Sequence, residues 1–179
     1  MTSRDKILNA AQARLLALGP AGLVLDAIAA DAGVSKGGLL YHFRSKDALV
    51  GGLCDRMLDD FEHRLAAEFA SDPEPVGAWT RAYLASTVTD EGKPADDSAQ
   101  LMAGLLAALG RDSKHLEVVR QRFDEWHRKL DSDGIDATTA TLVRLAADGL
   151  WLSALLGLPQ LDTPTSRRVV RTLRNQTHV

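Results

Sequence analysis

Apolar residues recur every three to four positions along almost the whole chain, which is the period of an amphipathic α-helix. In the first segment these positions are Ile7, Leu8, Ala11, Leu15 and Leu18. Ser3 precedes them as a candidate N-cap, and Gly19-Pro20 follows them as a helix terminator. The segment therefore predicts a first helix that buries one stripe of its surface.

The same period, together with capping and breaking residues, predicts eight further helices. We place them at residues 25–32, 35–42, 45–70, 75–89, 97–109, 113–131, 137–156 and 164–175. Ser35, Ser45 and Thr163 are the predicted caps of the third, fourth and last of the nine helices, and "SDPEP" and "GRDS" are among the breaks. No segment alternates with the two-residue period of a strand, so the sequence predicts an all-α fold of about nine helices.

Helices 25–32 and 35–42 have the spacing of a helix-turn-helix. Gly33 is expected to adopt the left-handed conformation that ends a helix, and Val34 to pack between the two helices. Leu39 and Phe43, four residues apart, would face the core. The opposite face of the second helix would present Lys36, Gly37, Tyr41 and Arg44, as a recognition helix does in the major groove.

Two adjacent glycines, Gly37 and Gly38, interrupt this candidate recognition helix. Each weakens a helix by about 0.5–1 kcal/mol. Bare backbone there would bring the helix close to bases and phosphates; close helix packing is the alternative explanation, with Tyr41 an ordinary surface aromatic. The candidate DNA-binding residues are Ser35, Lys36, Gly37, Gly38, Tyr41, His42, Arg44 and Lys46. Tyr41 suits a base edge, whereas Ser35, His42 and Lys46 suit phosphate oxygens.

The run "IAADAGVSKGGLLYHFRSKDAL", from Ile28 to Leu49, resembles the helix-turn-helix of the tetracycline-repressor (TetR-type) family of bacterial regulators. Val24, Gly38 and Leu40 stand where that pattern usually has a capping hydroxyl, a threonine and a tyrosine. The resemblance implies an N-terminal DNA-binding head and a C-terminal body that dimerises and usually binds a small molecule. On this basis we assign residues 1–48 to the head and 49–179 to the body.

The charge distribution agrees with this division. The 179 residues carry a net charge of −3, but residues 1–50 hold six lysines and arginines against four acidic residues. This leaves +2 on the head and −5 on the rest, which suits DNA binding by the head alone. The single cysteine, Cys54, forms no internal disulfide and indicates a reducing compartment, so we expect a cytoplasmic protein without a membrane span.

The body is predicted to dimerise through its last two helices. The predicted interface residues are Leu142, Leu145, Gly149, Leu152, Leu156, Val169, Val170 and Leu173. Paired with their symmetry mates, the two helices would form a four-helix seam, although the same stripes could pack within one chain. Two heads about 34–36 Å apart would then reach successive major grooves.

The body is also predicted to enclose a mostly apolar pocket, with ordinary core packing as the alternative. The candidate lining residues are Trp79, Tyr83, Met102, Leu105, Leu106, Phe123, Trp126, Asp148 and Trp151. Asp148 interrupts an apolar helix, so it either contacts the ligand or braces the fold, for example by pairing with Arg144.

Together these patterns predict a one-component transcriptional regulator, most simply a repressor. It would bind double-stranded operator DNA as a homodimer and be released by a small, mostly apolar ligand. We find no catalytic motif, metal spacing or cofactor-binding pattern, so we expect neither an enzyme nor a cofactor. Two alternatives stay open: a DNA-binding regulator without an effector, and a helical ligand-binding protein that no longer binds DNA.

Overall fold

The computed structural model describes residues 1–109 and 113–178. Over these residues the chain forms nine α-helices, a 3-10 turn at Gly19–Gly22 and no strand, which confirms the all-α prediction. The helices are α1 Ser3–Leu18, α2 Leu25–Asp31, α3 Lys36–His42, α4 Lys46–Ser71, α5 Ala78–Thr87, α6 Ser98–Ala108, α7 Lys114–Leu130, α8 Ala137–Leu155 and α9 Thr163–Asn175. The first three residues of the predicted break "GRDS" lie outside the described residues. In the described part of the chain, no helix is both long and apolar enough to span a membrane.

Two of the predicted N-caps are confirmed. The Ser35 hydroxyl oxygen accepts a hydrogen bond from the Gly38 N–H at 3.0 Å, and Ser45 accepts one from the Ala48 N–H at 3.0 Å. Each hydroxyl satisfies one of the amide groups that the first turn of a helix leaves without a partner. The starts of α3 and α4 are therefore fixed by local sequence.

The other two predicted caps are wrong by one residue. Thr2, rather than Ser3, caps α1 by accepting from the Asp5 N–H, while the Asp5 carboxylate accepts from the Thr2 N–H. Asp162, rather than Thr163, caps α9 by accepting from the N–H and the hydroxyl of Thr165. In both cases the preceding residue also carries a capping oxygen, and an additional bond selects it: the reciprocal Asp5 contact in α1 and the Thr165 hydroxyl in α9.

Helix α5 begins at Ala78, three residues later than predicted, and a distant carboxylate holds its first turn. Gly77 precedes the helix as its N-cap and has a φ of +77°, in the left-handed region that favours glycine. Asp133 accepts hydrogen bonds from the Trp79 N–H at 3.0 Å and from the Thr80 N–H and hydroxyl at 2.7 Å each. The negative charge lies at the positive end of the helix dipole, so Asp133 stabilises the helix start.

The chain forms two compact units, and their boundaries lie within helices. The first unit comprises Met1–Leu58 and Gln100–Val119; the second comprises Asp59–Ala99 and Arg120–Val179. The functional division at residue 48 stays a prediction.

In the first unit, α1 is tied to α4 through one guanidinium group. Arg56 donates to the Asn9 side chain at 2.6 Å and to the Leu8 carbonyl at 3.0 Å, and it also bonds the Gln12 side chain. Such charge-assisted bonds fix the direction of the side chain as well as its position. They hold the scaffold on which α2 and α3 are presented.

Candidate functional site

The turn between α2 and α3 has the geometry that the sequence predicts. Gly33 has a φ of +64°, and the Val34 N–H donates to the Ala29 carbonyl at 3.0 Å. Leu39 is fully buried and Phe43 nearly so, which anchors one side of α3 in the core of the first unit. The opposite side of α3 is therefore left facing solvent.

Tyr41 projects from this face, with 84% of its surface accessible. Its ring packs edge-on against His42 at a centroid distance of 5.2 Å, which orients the phenol without covering it. The predicted DNA-binding residues Arg44 and Lys46 are also exposed. An exposed aromatic next to three cationic or titratable side chains is a surface on which nucleic-acid contacts are typical.

The surroundings of the two glycines test the packing explanation, while their contact with DNA stays a prediction. A Cβ atom at Gly37 would meet only the Ser35 hydroxyl oxygen, at 3.9 Å, and the φ of Gly37 is not in the left-handed region. A Cβ at Gly38 would lie 3.3 Å from the same oxygen. Helix packing therefore does not require glycine at position 37, and the bare backbone there faces outward.

Two lysines of this surface already have partners, but both partners are weak. The Lys36 ammonium lies 2.9 Å from Asp26 of α2, with both side chains more than half exposed. Lys46 donates to the Pro20 carbonyl at 3.2 Å. An exposed ion pair such as Lys36–Asp26 contributes roughly 0.2–1 kcal/mol. Lys46 is held only by an exposed bond to a neutral carbonyl, so phosphate oxygens can compete for both ammonium groups.

Three leucines of α8 and its C-cap residue, also a leucine, form an exposed apolar stripe with Gly149 in its middle. They are Leu142, Leu145, Leu152 and Leu156, and 47–58% of the surface of each is accessible. A Cβ at Gly149 would meet nothing within 4 Å. This stripe comprises the whole α8 part of the predicted dimer interface.

The α9 part of that prediction needs correction. Val170 and Leu173 are buried within the chain, at 1% and 9% exposure, and Val169 is half-buried. Buried side chains cannot offer their surface to a partner, so Val170 and Leu173 are core residues of the second unit. The exposed face of α9 carries arginines instead, of which Arg167 pairs with Glu91 and Arg174 with Asp90.

The second unit brings four of the predicted pocket residues into one cluster. Tyr83 of α5, Phe123 and Trp126 of α7 and Asp148 of α8 belong to it, and Phe61 of α4, which sequence reasoning missed, joins their rings. The ring centroids of Phe61 and Trp126 are 4.5 Å apart. Phe61 lies within the predicted helix 45–70, but helical periodicity carries no sign of its aromatic neighbours.

Asp148 is the polar centre of this cluster. It accepts the Tyr83 hydroxyl at 2.7 Å and an Arg144 N–H at 3.1 Å, which confirms the bracing role. His127 lies beside it, with Nε2 at 4.0 Å from a carboxylate oxygen. Burial raises the pKa of Tyr83, and burial followed by the charge of Arg144 lowers the pKa of His127. The phenol and the imidazole are therefore neutral near pH 7.

The remaining predicted pocket residues lie at the edge of the cluster or outside it. Trp79 donates its indole N–H to the Trp126 carbonyl at 3.1 Å, and Trp151 donates to the Ser98 hydroxyl at 3.0 Å. Met102, Leu105 and Leu106 belong to the first unit, where the first two are buried and Leu106 is exposed. Their contact with a ligand stays a prediction. No group of three potential metal ligands occurs among the residues that the structure describes.

The fold and the exposed helix-turn-helix define a class, the helical transcriptional regulators with an N-terminal DNA-binding motif. A family model described as bacterial regulatory proteins of the tetR family matches residues 7–53. A second, described as the tetracyclin repressor-like C-terminal domain, matches residues 77–178. The chain therefore belongs to the TetR family of bacterial regulatory proteins.

Solved structures agree with this assignment. A TetR-family member from Streptomyces coelicolor A3 is 28% identical, with 97% of this chain and 98% of that chain covered and a TM-score of 0.65. The multidrug binding protein EbrR, complexed with ethidium, is 29% identical over 96% of this chain and 97% of its own, with a TM-score of 0.63. A transcriptional regulator from Rhodococcus sp. Rha1 shares the fold at 21% identity, with 98% and 96% covered and a TM-score of 0.73.

Proposed function

We propose that this chain is a one-component transcriptional repressor that binds operator DNA as a homodimer and is released by a small ligand. The observation that carries the DNA-binding step is the outward, unpacked backbone at Gly37 beside the exposed Tyr41. A glycine there lowers helix stability without a packing gain inside the chain. Close approach to a duplex supplies a reason for it.

The roles of the α3 residues follow from their positions. Tyr41 projects from the exposed face, where its hydroxyl can bond a base acceptor or its ring can pack on a thymine methyl. Exposed side chains of α3 and its flanks carry groups that suit phosphate oxygens, namely Lys36, His42, Arg44 and Lys46. We infer that Tyr41 contributes to sequence preference and that Lys46 contributes to general affinity.

Dimerisation is supported by the leucine stripe of α8. Four leucines, three on one face of α8 and one at its C-cap, are about half exposed and form an apolar surface that a second copy can cover. Gly149 in the middle of the stripe allows two such helices to approach closely. A twofold pair of heads would bind two half-sites, which a single short helix cannot do.

The ligand step is supported by the likeness to EbrR, whose structures hold ethidium and imidazole, and by the aromatic cluster of the second unit. Large aromatic side chains with a few polar groups are typical of sites for apolar ligands. An apolar ligand bound in this unit would favour one conformation of the dimer and change the affinity for DNA.

The test is a mobility-shift assay on the DNA upstream of the protein's own gene, with random duplex as competitor. Tyr41→Ala is expected to reduce discrimination between the two by about 1–3 kcal/mol, because a base contact is lost. Lys46→Ala should weaken binding to the upstream DNA and to random duplex by a similar factor, and it should reduce the salt dependence of the affinity. Equal losses on specific and random DNA for Tyr41→Ala would reject the base contact; no salt-dependent binding at all would reject the DNA-binding function.

A further inference from the structure

We propose that the first turn of α7 shields a negative charge at the DNA-binding end of α4, and that moving this turn away lowers the affinity for DNA. The charge is that of Asp47, and the turn carries Lys114 and His115. All three residues belong to the first unit. The proposal rests on the proposed function, because it names a way in which DNA binding by the head is regulated.

Asp47 lies next to a proposed phosphate contact. It is the second residue of α4 and follows Lys46, which we infer to bind phosphate oxygens. Consecutive Cα atoms are about 3.8 Å apart, whereas charges at a protein surface act over about 8 Å at physiological salt. A carboxylate here favours the start of the helix, where the dipole is positive. The same carboxylate, on a side chain that is 60% exposed, repels a phosphate that approaches Lys46.

Two side chains of α7 approach this carboxylate. The Lys114 ammonium lies 3.6 Å from one oxygen of Asp47, and Nε2 of His115 lies 3.3 Å from the other. This Nε2 makes no hydrogen bond to any residue that the structure describes, so the ammonium group is the part that offsets the charge. The Lys114 side chain is 79% exposed. Its charge is therefore close to any molecule that approaches Asp47.

A bare position on α4 holds the turn in this place. Gly51 lies one helical turn after Asp47, on the same face of the helix. A Cβ atom at Gly51 would lie 2.3 Å from Cε1 of His115 and 2.7 Å from its Nδ1. The His115 ring fills that space, and only 14% of the side chain is exposed. The φ of Gly51 is not positive, so we attribute the glycine to the space that the ring needs.

The remainder of α7 gives a ligand a way to act on this turn. The helix belongs to the first unit as far as Val119 and to the second unit from Arg120 onward. Phe123 and Trp126 of the aromatic cluster lie in its second part. Hydrogen bonds link each turn of a helix to the next, so a ligand that shifts the second part also shifts the first turn. Asp47 would then lose its Lys114 partner, and phosphate binding beside it would weaken.

The experiment is a double-mutant cycle on the full chain, measured by fluorescence anisotropy with a labelled random duplex. At about 50 mM salt, K114Q should weaken binding about fivefold, because it uncovers the Asp47 charge. The loss should shrink as salt is added, since salt screens that charge. D47N should bind slightly more tightly than the parent chain. In the D47N background, K114Q should change the affinity by less than about twofold.

The matched control is K93Q. Lys93 lies in the second unit, is 69% exposed and pairs with Glu91, so the substitution removes the same charge from a similar surface pair. It should leave the affinity for the duplex unchanged. Its result separates the local effect at Asp47 from the change in net charge.

G51A moves the turn without changing a charge. Its methyl group would collide with the His115 ring, so the ring and the turn that carries it are displaced from Asp47. Binding to the duplex should weaken about threefold or more, and this loss should largely disappear in G51A/D47N. Thermal melting shows whether the variants are folded. K114Q changes an exposed side chain, so it tests the charge independently of packing.

Unchanged affinity in K114Q, while Lys46→Ala weakens binding, would overturn the shield and leave the proposed function intact. A K114Q loss that persists in full in the D47N background would also overturn it, because Lys114 would then act on the phosphates directly. Unchanged affinity in folded G51A would overturn the role of the moving turn. A parent chain without salt-dependent binding to duplex would overturn the proposed function as well.

Discussion

The glycines of α4 and α6 in the first unit differ from Gly37 of α3 in how closely other side chains approach them. A Cβ at Gly52 of α4 would lie 2.6 Å from the Phe43 ring, and one at Gly104 of α6 would lie 2.9 Å from Leu15. Both distances are shorter than atoms tolerate, so these glycines let neighbouring side chains pack. The packing of the unit requires them.

Gly37 of α3 has no such neighbour, and the same is true of Gly149 in α8 of the second unit. Both occur inside helices with ordinary backbone angles, so neither conformation nor internal packing requires glycine. Each still lowers the stability of its helix. The contrast supports the proposal that these two open glycines serve surfaces that another molecule covers, which we propose to be a duplex at α3 and a second copy at α8.

The largest expected effect concerns the α8 surface. The double variant Leu145→Glu/Leu152→Glu places two charges on the apolar stripe and should convert the dimer to a monomer in sedimentation experiments. Operator affinity should fall by about 100-fold or more, because the second head no longer binds with the benefit of the first.

The control for this variant is Val118→Glu, which charges an exposed apolar residue of α7 outside the stripe. It should leave both mass and DNA affinity unchanged. A double variant that remains dimeric would place the dimer interface elsewhere and leave Gly149 without an explanation.

The next effect tests the packed side of the comparison. Gly52→Ala would force its new methyl group against the buried Phe43 ring, which has little room to move because Leu8 lies on the same side. The free energy of unfolding should fall by about 1–3 kcal/mol, as in other overpacked cores. Urea unfolding of the variant and of the parent chain measures this loss of stability. An unchanged midpoint would show that the Phe43 ring moves aside at little cost.

The smallest effect sharpens the description of α3. Asp26→Asn removes the carboxylate beside Lys36 and frees an ammonium group for phosphate. DNA affinity should rise about two- to threefold, since an exposed pair contributes roughly 0.2–1 kcal/mol. Asp31→Asn, whose carboxylate pairs with Arg14 instead, makes the same charge change and is the matched control. Equal gains in both variants would mean that only net charge matters.

Local rules explain why the head was predictable from the sequence. Gly33 and Ser35 act through neighbours within five residues, so the turn and the cap follow directly from their spacing. The spacing of Leu39 and Phe43 indicates which face of α3 is buried. The missing cap at Val24 was visible for the same reason, and the structure has no side-chain hydrogen bond there. The exposure of Tyr41 follows from the burial of Leu39 and Phe43 on the other side of the helix.

The features that could not be predicted from the sequence depend on tertiary contacts. The apolar stripes of α8 and α9 have the same period, yet Leu145 is exposed and Val170 is buried. Periodicity shows which side of a helix is apolar, but it does not show what covers it. The hydrogen bond that Asp133 accepts from the Thr80 N–H joins residues 53 positions apart. His127 and Asp148 are likewise brought together only by the fold, so neither contact could be read from local spacing.

The most direct test of the central claim is Gly37→Ala, measured for stability and for DNA binding in the same preparation. The new methyl group meets only the Ser35 oxygen at 3.9 Å, so the free energy of unfolding should rise by about 0.4–1 kcal/mol while operator affinity falls. Opposite signs of the two changes are the predicted result. A loss of stability, or unchanged operator affinity, would contradict the account of α3 as a surface shaped for a duplex.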